Sequence, residues 1–324
     1  MSKAPDNRKW LGAVVRLGGS AVLLTLVVRL ALRENFAAVT SRINGREIAV
    51  LLAGFACVHL GGLCKWRLLV RSADAGLPFV YAAQCYAAGL FGNIFLPSVI
   101  GGDMISTGMA MRRSSNKMGV VMGTIANRVL DFSALILITT GGMLHPGTWG
   151  LVTHSHLFRS SVAGAACVFA GAVGSPRRRL PRFITFRWRR LLVSVRRVCR
   201  SMAAKPGVFA LGFAASLVLQ TSFLLMNYWV GTLCGLHVGL AAWLFAWPLA
   251  KFIAFLPISQ GGFGTREFAL AGLLVPFSAK PELVVAVGLV WDVILVITGL
   301  LGGVIALVLS RFSRVRFTPA VVSK

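Results

Sequence analysis

Long runs of apolar residues, each closed by a short polar or basic stretch, recur along the chain. They lie near 10–31, 48–70, 79–100, 117–142, 151–174, 207–234, 238–258 and 284–309. An α-helix needs about 20 residues to cross the hydrocarbon of a bilayer, and each run is long enough. A further stretch, 263–278, is shorter and holds Gly264, Arg266, Glu267 and Pro276. It suits a ninth, tilted span or a re-entrant piece. The pattern predicts an all-α fold: a polytopic transmembrane helical bundle of eight or nine spans, forming one integral membrane domain over 1–324. The first run is the weakest span. It carries Arg16 inside, ends in Arg29 and Arg33, and has no small-x-small site that would make it a cleavable signal.

Two segments interrupt the apolar pattern in the same way. Phe95-Leu96-Pro97-Ser98-Val99-Ile100-Gly101-Gly102 returns in the later part of the chain as Phe255-Leu256-Pro257-Ile258-Ser259-Gln260-Gly261-Gly262. Proline removes a backbone donor and a glycine pair leaves regular helix geometry. Inside a bilayer such breaks survive only where protein or a water-filled cavity satisfies the freed backbone groups. Broken segments in corresponding positions of two halves point to a transporter-like binding site.

Flanking landmarks extend the repeat. Ala75-Gly76-Leu77 precedes the first motif and Cys234-Gly235-Leu236 the second, each as a short connection between hydrophobic helices. Asp131 follows Gly102 at nearly the same offset as Asp292 follows Gly262. Each half, about 48–142 and 207–309, therefore reads as helix, turn, helix, break, and then a helix bearing a buried aspartate. By the count of helices the two motifs end helices of the same direction, which predicts a parallel repeat.

Composition adds the solvent. With 56% hydrophobic and 13% charged residues in 324 and a mean hydropathy of +0.78, the chain is not a soluble domain. The net charge of +25 would suggest nucleic acid in a soluble protein. Here it follows from basic loops retained on the cytoplasmic side, and no nucleic-acid partner is expected. The densest loop, 175–206, holds eleven Lys or Arg between Arg177 and Lys205 without an Asp or Glu. It is expected in the cytoplasm with Arg311, Arg314 and Arg316. Arg187-Trp188-Arg189-Arg190, with Phe183 and Phe186, suits an interfacial amphipathic helix attracted to anionic lipid. Lys65, Arg67 and Arg71 run against this orientation.

The six cysteines show no metal-like or disulfide spacing and read as small helix-packing residues. Among the histidines only His154-Ser155-His156 clusters, a weak ligand signal, so neither metal nor cofactor is expected. There is no G-x-S-x-G elbow, P-loop or H-E-x-x-H, and an enzymatic activity is not expected.

Four of the nine acidic residues fall in or beside apolar segments: Asp103, Asp131, Glu267 and Asp292. An ionisable group at mid-membrane costs about 2.5–3.5 kcal/mol and usually faces the bundle interior with a partner. Arg128 and Asp131 stand at i, i+3, the spacing of an intrahelical pair, with Asn127 beside them. Arg266 and Glu267 are neighbours and are expected to reach different partners. Asp103 follows Gly101-Gly102, where an open turn would leave N–H groups free for an anion.

The stretch Pro257-Ile258-Ser259-Gln260-Gly261-Gly262-Phe263-Gly264-Thr265-Arg266-Glu267 resembles the P-x-S-x-G-G-x-G-x-R-E signature of a flippase-like membrane family. That family is named for the transmembrane region of lysylphosphatidylglycerol synthase. Phe91-Gly92-Asn93-Ile94-Phe95-Leu96-Pro97 with Gly101-Gly102-Asp103 is similar to its G-x-x-x-N-x-x-x-P-x-x-x-G-G-D region. Arg128-Val129-Leu130-Asp131 is similar to its R-x-x-D helix. Two departures lower the charge: Ser106 stands where members often carry arginine, and Asn127 where an acidic residue often precedes the R-x-x-D arginine.

The resemblance implies translocation of an amphiphilic lipid, of phospholipid, polyprenyl or hopanoid type, across the plasma (inner) membrane of a bacterial-type cell. The expected binding residues are Asn93, Pro97, Gly101, Gly102 and Asp103 on the first break, Arg128 and Asp131 between the breaks, and Pro257, Gly261, Gly262, Gly264, Arg266 and Glu267 on the second, with Asp292 beyond. Arg128 and Arg266 would hold an anionic headgroup, while Asp103, Asp131 and Glu267 would bind a cationic part or carry protons. The expected partners are membrane lipids and lipid-synthesis enzymes. The alternative readings are a membrane subunit of a lipid-modifying or glycosylating enzyme complex, and a non-catalytic accessory protein of envelope lipid synthesis.

The basic loop sets the topology, because eleven positive charges oppose translocation. Alkaline phosphatase fused near Arg190 should be inactive; strong periplasmic activity at that position would reverse the orientation.

Overall fold

The computed structural model describes residues 43–95, 101–153, 204–254 and 264–315, and every regular element among them is helical. The apolar run 10–31, nearly all of the run 151–174 and of the basic loop, and the motif residues Pro97, Pro257, Gly261 and Gly262 lie outside the described residues.

In chain order the helices are α1 (Gly45–Ser72), α2 (Phe79–Phe95), α3 (Gly101–Arg113), α4 (Lys117–Met143) and α5 (Pro146–Thr153), then α6 (Pro206–Leu233), α7 (Leu240–Ala254), α8 (Thr265–Leu274) and α9 (Pro281–Val315). A 3-10 turn, Val275–Phe277, joins α8 to α9. Among the described residues four helices are long and apolar enough to cross a membrane: α1, α4, α6 and the Pro281–Arg311 part of α9. The 17 residues of α2 and the 15 of α7 are apolar but shorter than a full crossing at about 1.5 Å per residue. The described part of the stretch 263–278 holds the ten-residue α8 and the 3-10 turn, shorter than a full crossing.

The order of elements repeats. Among the described residues a long helix, a short turn, a shorter helix, then a short helix and a long helix describe both α1–α4 and α6–α9. The two turns match in hydrogen-bond detail. Asp74 (φ 57) and Gly235 (φ 84) both take left-handed backbone. Ala75 N–H donates to Val70 O at 3.2 Å, and Leu236 N–H to Gly231 O at 2.8 Å. Each is the wrapped C-terminal cap that satisfies carbonyls a helix end would otherwise leave bare. Packing crosses the halves: α2 lies chiefly on α9 and α3, its counterpart α7 chiefly on α4 and α8, and α1 and α6 lie on each other and on α4.

Two large apolar clusters fill much of the interior. The larger gathers Phe55, Leu135, Leu224, Trp243 and Trp291 from α1, α4, α6, α7 and α9. The smaller holds Trp66, Val70, Tyr81, Cys85 and Val120 between α1, α2 and α4. Outward, Leu211, Val218, Leu301, Val304 and Leu307 are exposed, Leu307 to 70%, an apolar surface that suits lipid rather than water. Of the cysteines expected to pack between helices, Cys85 and Cys234 are buried, whereas Cys57 and Cys64 are exposed. A small apolar thiol on a lipid-facing side needs no partner helix.

Lipid tails are as apolar as leucine, so close approach at small residues carries much of the helix association. A Cβ added at Gly123 of α4 would meet Val70 Cα at 2.6 Å and its N at 2.8 Å, whereas one at Gly141 meets nothing within 4 Å. Gly123→Ala should therefore destabilise the purified protein by roughly 1–3 kcal/mol through overpacking. Gly141→Ala should leave it unchanged or slightly more stable, by up to about 1 kcal/mol of helix propensity. Thermal unfolding in detergent measures both, and equal effects would contradict the α1–α4 crossing.

Candidate functional site

Among the described residues four charged pairings sit among the apolar helices, and three of them cross between helices. On α4, Asp131 accepts from Lys65 Nζ of α1, and that ammonium also donates to Ser216 Oγ of α6 at 2.9 Å. The side chain of Lys65 is 3% exposed. One turn earlier on α4, Arg128 grips Asp103 of α3 with two nitrogens, Nε to Oδ2 and Nη2 to Oδ1 at 2.6 Å. On the second half, Arg266 Nη2 donates to Glu267 Oε1 and to Asp292 Oδ1 of α9, each at 2.5 Å.

Arg128 and Asp131, expected to pair with each other, are thus held by other helices. Their i, i+3 spacing does put both on one face, but that face looks onto α1 and α3. There Lys65 supplies an ammonium, and Asp103 offers two oxygens in the fork that a guanidinium matches best. The expectation that Arg266 and Glu267 seek different partners also fails in part. Glu267 stands third in α8 and bends back, its Oε2 accepting the Gly264 N–H at 2.7 Å. That brings Oε1 over the helix start, within reach of Arg266 Nε at 2.8 Å. Gly264 enables the bend with φ 79, a backbone conformation disfavoured for other residues.

The Gly101–Gly102 pair does not form an open anion-binding turn. It opens α3, and the Gly102 N–H is taken by Asn93 Oδ1 of α2 at 2.9 Å. A Cβ on Gly102 would collide with Gly89 O and with Asn93, so the glycine serves close packing of α2 on α3.

Between the halves lies a partly open cavity of about 260 Å³. Among the expected site residues, Asn93, Gly102, Asp103, Arg128, Asp131 and Arg266 line it. Gly101, Gly264, Glu267 and Asp292 are not in its wall: the last two lie behind Arg266, with the Glu267 side chain wholly buried and that of Asp292 13% exposed. Pro97, Pro257, Gly261 and Gly262 lie outside the described residues.

Sequence reasoning misses several lining residues. Lys251 of α7 donates to Gln220 Oε1 at 2.7 Å and lies over the rings of Trp247 and Phe223. His59 Nδ1 and Tyr86 Oη, which also line the cavity, stand 3.3 Å apart, and the His59 ring packs on that of Phe223. Lys65, a topology signal in the sequence, is a buried lining residue. For Lys251 the available signal is a lone cation inside the apolar run 238–258, whereas Lys65 has Arg67 two residues on. Among the described residues no three His, Cys, Asp or Glu side chains gather as a metal site.

Helices apolar enough to cross a bilayer, enclosing a cavity lined with charge, define a membrane protein. The family model described as the lysylphosphatidylglycerol synthase TM region matches residues 12–303. The chain belongs to that family, a membrane protein family of lipid-related function. No curated protein and no solved structure matches it.

The pairings are separable by double-mutant cycles on stability. Removing one partner of a buried pair leaves an uncompensated charge and costs about 3–5 kcal/mol. Coupling energies should be large for Lys65 with Asp131 and for Arg128 with Asp103, and clearly smaller for Arg128 with Asp131. A dominant Arg128–Asp131 coupling would restore the intrahelical pair.

Proposed function

We propose that the protein moves an amphiphilic lipid between the leaflets of the plasma membrane, as a multi-pass transporter whose cavity takes the headgroup while the acyl chains stay in hydrocarbon. The observation that carries this reading is the charge-lined cavity between two similar sets of apolar helices. Its volume of about 260 Å³ is near the small end of ligand cavities. That suits a small polar headgroup and is far too little for two acyl chains. Family membership supports a lipid as the polar ligand's carrier. The two halves, about 48–142 and 207–309, share one order of helices, the kind of internal symmetry on which alternating exposure of a site is commonly built. In this reading the basic loop faces the cytoplasm and anionic lipids are the partners.

Charged residues inside a bilayer are retained where a polar path needs them, since each opposes insertion by about 2.5–3.5 kcal/mol. Four of the lining residues, Lys65, Arg128, Lys251 and Arg266, are cationic. Two, Asp103 and Asp131, are acidic and already engaged. The wall thus favours an anionic group on the lipid.

Reconstitution in liposomes with labelled lipids tests the proposal. Leaflet accessibility of an anionic phospholipid should equilibrate faster than in protein-free vesicles. Thr298, which lines the cavity from α9, offers a block that alters no charge. Thr298→Phe should keep the unfolding temperature and lose the movement. Identical traces for protein-containing and protein-free vesicles across the lipid panel would overturn the transport reading.

A further inference from the structure

The four cations of the cavity wall are not equivalent. Arg128 is held by Asp103, Lys65 by Asp131, and Arg266 by both Glu267 and Asp292. Among the described residues Lys251 has no carboxylate within ion-pair distance. Every acidic residue of the chain except Asp6 and Glu34, which lie outside the described residues, is placed in the structure. Those on the cavity side already hold another cation.

What surrounds Lys251 is a cradle rather than a counter-ion. Its Nζ donates to Gln220 Oε1 at 2.7 Å and lies 4.7 Å from the Trp247 ring centre and 5.2 Å from that of Phe223. Ring faces stabilise a cation without neutralising it. An ammonium has three donors, so one bond to Gln220 leaves two. With its carbonyl oxygen committed to Lys251, Gln220 keeps its amide N–H groups beside the same spot. All four residues line the cavity. The site therefore offers an ammonium that no carboxylate contacts, with several convergent donors, a match for a singly charged group with more than one acceptor oxygen.

We propose that Lys251, with Gln220, is the seat of the phosphate of a phosphodiester lipid, and that Arg128 and Arg266 brace the cavity rather than bind that phosphate. The proposal rests on the lipid-transport reading and names its ligand chemistry. The two arginines already spend a fork and their charge on carboxylates, so a phosphate there would meet a guanidinium that is already matched. At Lys251 it displaces no protein carboxylate. The aromatic rings keep water thin around the ammonium, which strengthens the attraction.

Binding by the purified full chain decides it. The probes are dioctanoyl phosphatidylglycerol, dioctanoylglycerol without phosphate, octanoate and inorganic phosphate, each titrated against wild type, Lys251→Met and Lys251→Arg. Wild type should bind the phosphatidylglycerol in preference to the other three. Lys251→Met, which keeps length and ring contact, should weaken it by about tenfold or more, as expected for a lost charged hydrogen bond. Lys251→Arg should retain most of the affinity. Should Lys251→Met fail to fold, Gln220→Met removes the amide donors, leaves the ammonium, and should weaken binding in the same direction.

Binding by Lys251→Met within about twofold of wild type would overturn the seat while leaving the lipid reading intact. Equal affinity for octanoate would make the ligand a carboxylate. Equal affinity for inorganic phosphate would make the source a free anion. Absence of binding by any lipid in the panel, charged or neutral, would remove the transport reading itself.

Discussion

Everything in this fold depends on neutralising charge between helices that have no water to turn to. Lys65, Asp131 and Ser216 tie α1, α4 and α6 together at one point, and Arg128 with Asp103 ties α3 to α4. Arg266 ties the start of α8 to Asp292 on α9. Apolar side chains give helices little reason to prefer one another over lipid, so such contacts and the glycine approaches select the register. A rotation of α4 by one residue would turn Asp131 away from Lys65 and move Gly123 off Val70. The ion pairs and the close packing therefore demand the same arrangement. A fold whose local requirements agree in this way has few competing alternatives.

How far the sequence reveals this differs by kind of feature. Helices α1, α4, α6 and α9 announce themselves as apolar runs, because a spanning helix must be apolar for most of its length. The two connections are legible as turns, but the capping bonds match Asp74-Ala75 with Gly235-Leu236, two residues away from the Gly-Leu match that the sequence suggests. The reason is that the positive φ falls on Asp74 and not on Gly76. The acidic members of the site are legible too, since Asp103, Asp131, Glu267 and Asp292 stand out in an apolar background. Their partners are not. Pairing across helices depends on which faces meet, and sequence spacing reports only neighbours on the same helix. That is why spacing matches Arg128 to Asp131, a turn away, instead of to Asp103. It is also why Lys65, on a different helix from Asp131, reads in the sequence as a matter of topology. Lys251 is hidden for another reason. It has no acidic neighbour in sequence, and its cradle comes from Gln220 and Phe223 on a different helix.

The matching order of helices in the two halves gives a frame for where the charges sit. In each half the short helix after the break is strapped to the following long helix by one arginine–aspartate pair. In the first half the aspartate, Asp103, is on the short helix and the arginine, Arg128, on the long one. In the second half the polarity is reversed, with Arg266 on the short helix and Asp292 on the long one. With Gly102 aligned to Gly262, Phe263 stands opposite Asp103 and Arg266 opposite Ser106, so the reversal is written into the sequence.

The reversal bears on the aspartates that the halves share. Under the same alignment Asp131 and Asp292 fall at matching positions, one place out of step. In the second half Asp292 is satisfied by the arginine of its own strap. In the first, the arginine of the strap is held by Asp103, so Asp131 needs a cation from elsewhere, and Lys65 of α1 supplies it. The second half carries the opposite imbalance. Its arginine meets two carboxylates, Glu267 and Asp292, while Lys251 on the preceding helix meets none among the described residues. Across the site the four cations and four carboxylates are equal in number, yet Lys251 is left without an opposite partner. A bilayer interior does not tolerate that arrangement cheaply. It is stable to the extent that the rings of Trp247 and Phe223 and the amide of Gln220 stand in for a counter-ion, and an anionic ligand would complete it.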